Sequence, residues 1–180
     1  MRILDLCCGR GGATRAFYDH GHEIVTVDIN PKFQPTFCQD VNTFDSEGEY
    51  DLIWASPPCT EYSRCSLPKS WGCNRGTHPI PDMRPFLNCV RIVRETSPRY
   101  WVIENVRGAI PFFRQVIGEP RQRIGSRILW GTFPKLSIGR AEAYGKWRLP
   151  PTPDRAEIRS EIPYAISEAL CRAIEKTEAE

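Results

Sequence analysis

The sequence lacks any apolar run near the roughly 20 residues that a membrane-spanning helix requires, so no bilayer insertion is expected of it. Its opening stretch, "MRILDLCCGRGG", passes from a strand-like run straight into a glycine turn. It has no small-residue cleavage site, so no signal peptide is expected. A strong charge of either sign is also missing. The net charge is +2 and the pI about 8.1, a balance that permits a nucleic-acid partner without arguing for one. Cys-x-x-Cys pairs are absent among the eight cysteines. Cys65, Cys73 and His78 share one stretch, but their spacing fits no zinc knuckle and no fourth ligand is evident, so no metal site is expected. A cytoplasmic location is expected, and the cysteines are then read as free thiols. Repeats and low-complexity tracts are absent too. What remains is ordinary for a folded domain: 180 residues, 41% hydrophobic and 26% charged, enough for one core and short for two.

Short β-rich runs alternate with longer helical patterns, which is the signature of an α/β sheet. Strands are expected over 2–7, 23–29, 37–41, 50–56, 100–106 and 126–131. A helix is expected to grow out of "GGATRAFYDHGH" and end near Gly21, a second to span 82–96, and a short third to surround "AIPFFRQVI". The stretch from Glu61 to Pro81 has no clean period and reads as a long functional loop. Residues 132–161 read as a short linker or hairpin, and 162–178 as an amphipathic closing helix.

Two places carry chemistry. In "DLIWASPPCTEYS" a buried strand is cut off by Pro57 and Pro58, which fix the backbone and remove its amide donors, and Cys59 follows at once. A thiol is thereby held on a stiff turn at a strand's carboxyl end, where open α/β sheets bind ligands. In "DLCCGRGG", Gly9, Gly11 and Gly12 let backbone amides approach a ligand closely, although Thr14 stands where the dinucleotide fingerprint has its third glycine. Asp28, at the end of the second expected strand, is placed to accept hydrogen bonds from ribose hydroxyls. Together they point to a nucleoside-containing cofactor, either NAD or S-adenosylmethionine.

These segments, in order along nearly the whole chain, resemble the DNA cytosine-5 methyltransferase family. "DLCCGRGG" resembles the family's cofactor turn, "VTVDINPKFQPTF" its second motif and "QDV" its third. "SPPCTEYS" is similar to the nucleophile motif, the stretch ending "YWVIENVRG" to the Glu-Asn-Val strand, and "SRILWG" to the arginine-bearing strand. The resemblance implies a Rossmann-like methyltransferase fold, a mostly parallel sheet with helices on both faces. It implies S-adenosylmethionine as cofactor, contacted by Cys7, Gly9, Gly11, Gly12, Asp28, Ile29, Asp40, Val41 and Pro57. It implies Cys59 as nucleophile, Glu104 as the partner of the cytosine ring nitrogen, and Arg127 as a catalytic arginine. DNA is the implied substrate, with an already unpaired RNA base and a degenerate, non-catalytic DNA-binding form as alternatives. The loop after Cys59, with Arg64, Lys69, Trp71, Arg75 and His78, is suited to close over a flipped-out base.

The pattern departs from the family at Cys7, where a phenylalanine is usual, at Thr60, at Gly125 in place of a first arginine, and in the missing Gly-Asn before the closing helix. The family places a target-recognition domain between the arginine strand and that helix. Here only 132–161 fills the interval, too little to bury a core of its own, as in compact phage and prophage forms. Residues 1–180 are therefore expected to form a single catalytic domain, with recognition left to a separate specificity subunit or a homodimer. Lys135, Arg140, Lys146 and Arg148 in that interval suit phosphate contacts, which position without reading sequence.

Overall fold

A computed structural model describes residues 1–63, 81–139 and 154–180. Seven strands form one sheet: β1 (Arg2–Leu6), β2 (Glu23–Asp28), β3 (Phe37–Cys38), β4 (Leu52–Ala55), β5 (Tyr100–Val106), β6 (Gln122–Ile124) and β7 (Arg127–Thr132), in spatial order β3-β2-β1-β4-β5-β7-β6. The first five run parallel, and β6 and β7 pair antiparallel. The helices are α1 (Arg15–Asp19), α2 (Arg84–Thr96), α3 (Ile110–Ile117), α4 (Arg155–Ser160) and α5 (Tyr164–Ala179). None is long and apolar enough to cross a membrane.

The central strands β1, β4 and β5 are mostly apolar because both faces of the sheet are covered there. Leu4, Leu6, Ile53, Ala55 and Ile103 point to one side and pack with Phe86, Val90 and Val93 of α2 and Phe113 of α3. There the Phe86 and Phe113 rings stack with centroids 3.6 Å apart. Ile3, Leu52, Trp54 and Val102 point to the other side, against Phe17 of α1 and Ile166, Leu170 and Ile174 of α5. Each such fully buried side chain contributes about 1.5–3 kcal/mol. The expected helices on both faces are found.

Several boundaries move for visible reasons. The strand expected over 50–56 begins at Leu52, since the Asp51 carboxylate takes the Arg2 amide at 2.6 Å ahead of the ladder. The strand expected over 37–41 stops after Cys38, because Asp40 turns the chain by accepting the Asn42 amide at 2.9 Å. The first helix shortens to Arg15–Asp19 and the second starts at Arg84. Residues 140–153 of the interval expected as a linker or hairpin lie outside the described residues; just before that interval, β6 and β7 form a hairpin. Its two-residue turn starts at Gly125, whose φ of 59° explains why a glycine stands where the family has arginine. The end of the expected linker forms α4, and the closing helix spans Tyr164–Ala179. Trp54 and Trp130 are fully buried, as core residues should be. The six described cysteines are free.

Candidate active site

The strand sequence reverses direction between β1 and β4, whose carboxyl ends lie side by side with Leu6 opposite Ala55. A crevice outside that switch point is the usual ligand position in such sheets. Ser56 makes the last ladder contact, donating its amide to the Leu6 carbonyl at 3.0 Å, and Pro57 and Pro58 then end the pairing. The turn is held from the neighbouring strand. Buried Asn105 of β5 donates its side-chain amide to the Pro57 carbonyl at 2.9 Å. The Cys59 carbonyl accepts the amides of Tyr62 and Ser63 at 3.1 and 2.9 Å, closing a single helical turn. Gly108 lies so close beneath it that a β-carbon there would stand 1.8 Å from the Tyr62 carbonyl oxygen. Cys59 therefore sits in a rigid setting with its side chain partly buried. Burial and the Glu104 carboxylate push its thiol pKa above the usual value, against opposing pulls from a backbone hydrogen bond and Arg127.

Ala55 pairs with Ile103, so Glu104 emerges one residue beyond the end of β4. Glu104 and Arg127 stand two rungs apart on the same face of the β5–β7 ladder and form an ion pair at 3.2 Å, only 8% and 13% exposed. Burial raises the Glu104 pKa, and Arg127 and a hydrogen bond from Ser56 counter it without cancelling it. Ser56 is oriented in turn by the Trp54 indole, which donates to its hydroxyl at 2.8 Å. Arg127 also donates to the carbonyls of Arg159, Ser160 and Glu161, where α4 ends. The arginine thus ties β7, Glu104 and the chain before α5 into one cluster.

On the other side of the crevice, Cys7, Gly9 and Gly11 all have left-handed backbone, with φ of 57°, 52° and 72°. A β-carbon at Gly9 or Gly11 would meet open space. Gly12 is different: a β-carbon there would stand 2.5 Å from the Ile162 carbonyl oxygen, so this glycine admits the segment before α5. The Asp28 carboxylate anchors the turn itself, accepting the Gly9 and Asn30 amides at 2.8 Å each. Ile29 beside it is 66% exposed. The Cys7 side chain packs against the core cluster that contains Cys89 of α2, and Val41 and Pro57 are buried. Asp40 is partly buried. The expected loop residues Arg64, Lys69, Trp71, Arg75 and His78, and Arg140, Lys146 and Arg148, lie outside the described residues.

One residue of the region, the first letter of "DLCCGRGG", has no role in the sequence reading. Asp5 is fully buried in β1; it accepts the Thr14 hydroxyl at 2.8 Å, and its second oxygen has no hydrogen-bond partner. Burial pushes its pKa up to about 7, against the Thr14 bond and with help from Asp28. A carboxyl raised on folding favours the fold fully below its unfolded value and loses that contribution as pH climbs through the folded one. Asp5→Asn should therefore gain stability over wild type by about 2–3 kcal/mol between pH ~5 and pH ~8. Urea unfolding of both proteins at the two pH values checks this, and a difference independent of pH would contradict it.

With this geometry described, comparison with known proteins is informative. The model of the C-5 cytosine-specific DNA methylase family matches residues 1–114, which include the glycine turn, the Cys59 turn and β5. The chain is 25% identical over 123 residues to the type II methyltransferase M.HgiCI of Herpetosiphon aurantiacus, covering 60% of this chain and 28% of that one. It is 26% identical over 148 residues to the orphan methyltransferase M.Rho11sI of Bacillus phage rho11s, covering 71% and 28%. The chain thus spans little more than a quarter of the length of these relatives. Among solved structures, a prophage-encoded E. coli protein assigned as a DNA modification methyltransferase superimposes with a TM-score of 0.52 at 20% identity. That match covers 83% of this chain and 52% of the other, and shows a shared fold.

Proposed function

Because the chain belongs to the C-5 cytosine-specific DNA methylase family, we propose that it transfers a methyl group from S-adenosylmethionine to carbon 5 of cytosine in DNA, with Cys59 as the nucleophile. The observation that carries the reading is the Cys59 turn, clamped by Asn105 and set beside the Glu104–Arg127 pair. When bound, S-adenosylmethionine supplies an electrophilic methyl group on a sulfonium. The residues present fit it: open space at Gly9 and Gly11 lets the backbone approach, Asp28 offers acceptors to a ribose, and exposed Ile29 offers an apolar surface to an adenine. In this reading Asp40 lies near the adenine, while Cys7, Gly12, Val41 and Pro57 shape the pocket from behind.

The chain's own residues would do the following. Cys59 loses its proton and adds to carbon 6 of a cytosine that has been turned out of the duplex. Glu104, its pKa raised by burial and so more readily protonated than an exposed carboxyl, holds a proton toward ring nitrogen 3 as charge develops there. Arg127 fixes that carboxyl in place. Addition breaks the ring's aromaticity and makes carbon 5 nucleophilic. After methylation, loss of the carbon 5 proton expels Cys59. Residues 1–180 act as one catalytic unit in this reading. The interval 132–161 supplies phosphate contacts through Lys135 and its neighbours, and sequence readout falls to a separate subunit or a second copy.

Transfer of tritiated methyl groups to DNA, RNA and free nucleotides tests the reading. Incorporation into DNA as 5-methylcytosine is the expected result, and transfer confined to RNA or to another base position would overturn it. Asp28 serves affinity rather than chemistry. Losing its charged hydrogen bonds costs on the order of 1.5–3 kcal/mol, so Asp28→Ala should weaken S-adenosylmethionine binding roughly ten- to a hundredfold. Calorimetry giving an unchanged dissociation constant would remove Asp28 from the site.

A further inference from the structure

Behind the sheet, away from the crevice, α5 packs on the corner where α1 passes into β2. The face of α5 turned to that corner presents Glu168, Cys171 and Glu175, spaced so that all three share one side of the helix. The corner presents His20 and His22. His20 Nδ1 lies 3.1 Å from Glu175, His20 Nε2 lies 3.3 Å from Glu168, and His22 Nε2 lies 3.0 Å from Glu175. One ligand atom each from His20, Cys171 and Glu175 fall within 4.8 Å of one another.

We propose that His20, Cys171 and Glu175 bind one divalent transition-metal ion, with zinc as the preferred ion and His22 or Glu168 as the fourth ligand. Imidazole, thiolate and carboxylate form a donor set suited to zinc. Tetrahedral bonds of about 2.0–2.3 Å put neighbouring ligand atoms about 3.3–3.8 Å apart, so the side chains need move little to close on an ion.

The hydrogen-bond arithmetic points the same way. A neutral imidazole has one N–H, yet both ring nitrogens of His20 face carboxylates. One contact must then set a lone pair against a carboxylate oxygen, and Glu168 Oε2 is indeed a buried atom without a hydrogen-bond partner. A bound cation removes the conflict; protonation of His20 is the competing solution. Cys171 experiences the same excess of negative charge. Its fully buried side chain shares the face of α5 that carries Glu168 and Glu175. A metal ion would neutralise that field and release the thiol proton to solvent. Glu175 already lies among the other donors, 3.1 Å from His20 and 3.0 Å from His22. The side chains of His20 and Glu175 are 27% and 37% exposed, which leaves a path for the ion. Such an ion would staple α5 to α1 and stabilise the fold by mass action. None of this depends on the methyl-transfer reading.

The test uses the full chain freed of metal by chelation and titrated with Co2+, followed by Zn2+. One equivalent of Co2+ should produce a thiolate-to-cobalt charge-transfer band, and Zn2+ should abolish the band. The band should vanish in Cys171→Ser. Co2+ affinity should fall at least about tenfold in His20→Gln, whose partly exposed position makes misfolding a minor concern. Zn2+ should raise the thermal midpoint of wild type and leave that of His20→Gln unmoved. No saturable band in the folded protein would overturn the proposal, leaving a protonated His20 as the answer. A band that persists unchanged in Cys171→Ser would overturn it equally, because the ion would then sit on other cysteines.

Discussion

Cys59→Ala should lower methyl transfer to DNA by at least about 10⁴-fold, the scale on which losing a covalent nucleophile acts, while S-adenosylmethionine affinity stays nearly unchanged. The two outcomes separate because the thiol and the cofactor turn follow different strands, β4 and β1. Among the described residues, no neighbouring thiol is placed to substitute. Cys8 is buried and its pKa is pushed far up, and Cys7 packs against the core cluster that contains Cys89. The raised thiol pKa adds a pH signature. Cys59 rests protonated at neutral pH, so the rate of attack should climb as pH rises from neutral toward mildly alkaline values. Steady-state kinetics with wild type and Cys59→Ala across that range, with calorimetry for the cofactor, provide the check. Transfer that persists in Cys59→Ala would remove this cysteine from the mechanism.

Arg127→Ala should be the most destabilising change in the site. It leaves Glu104 buried without its cation and strips three carbonyls at the end of α4 of their donor. Removing one partner of a buried ion pair costs about 3–5 kcal/mol. Glu104→Gln should behave differently, because it removes a buried charge while Arg127 keeps its carbonyl partners. Stability should then change by under about 1 kcal/mol, while activity falls roughly 10²- to 10⁴-fold. The sign of the pH effect follows from the raised Glu104 carboxyl. Its contribution favours the fold below the ordinary glutamate value and is lost as pH rises through the folded one. Without Arg127 the shift grows, so the cost of Arg127→Ala should increase with pH. Combining the two changes should restore only the part of the stability lost through the unpaired Glu104 charge, and no activity, which urea unfolding and transfer assays can read side by side. Equal destabilisation by both single changes would mean that the pair is not the buried unit described above.

Much of this site was legible because its residues are local in sequence. Gly9 and Gly11, Pro57 to Cys59 and Glu104 to Val106 each lie at the end of one strand, and strand order alone brings them to one edge. What was not legible depends on contacts between distant segments. Gly12 reads as part of the cofactor turn, yet its missing side chain makes room for Ile162. Gly125 reads as a lost arginine, yet its positive φ makes the β6–β7 hairpin. Asn105 reads as a motif letter, but its bond to the Pro57 carbonyl holds the nucleophile turn. The clasp of Arg127 on Arg159, Ser160 and Glu161 joins residues more than 30 positions apart. The sequence gives no metal motif because His20, Cys171 and Glu175 meet only once α5 has folded back on α1.

The central claim is that Cys59 forms a covalent bond to cytosine during methyl transfer. The most direct test is mass spectrometry of a protease and nuclease digest after incubating the protein with S-adenosylmethionine and DNA containing 5-fluorocytosine. Fluorine at carbon 5 blocks the final elimination, so the adduct cannot release the enzyme. The expected result is a single modified peptide, carrying a methylated fluorocytosine on Cys59. An adduct on another cysteine, or methylated DNA with no adduct, would contradict the account.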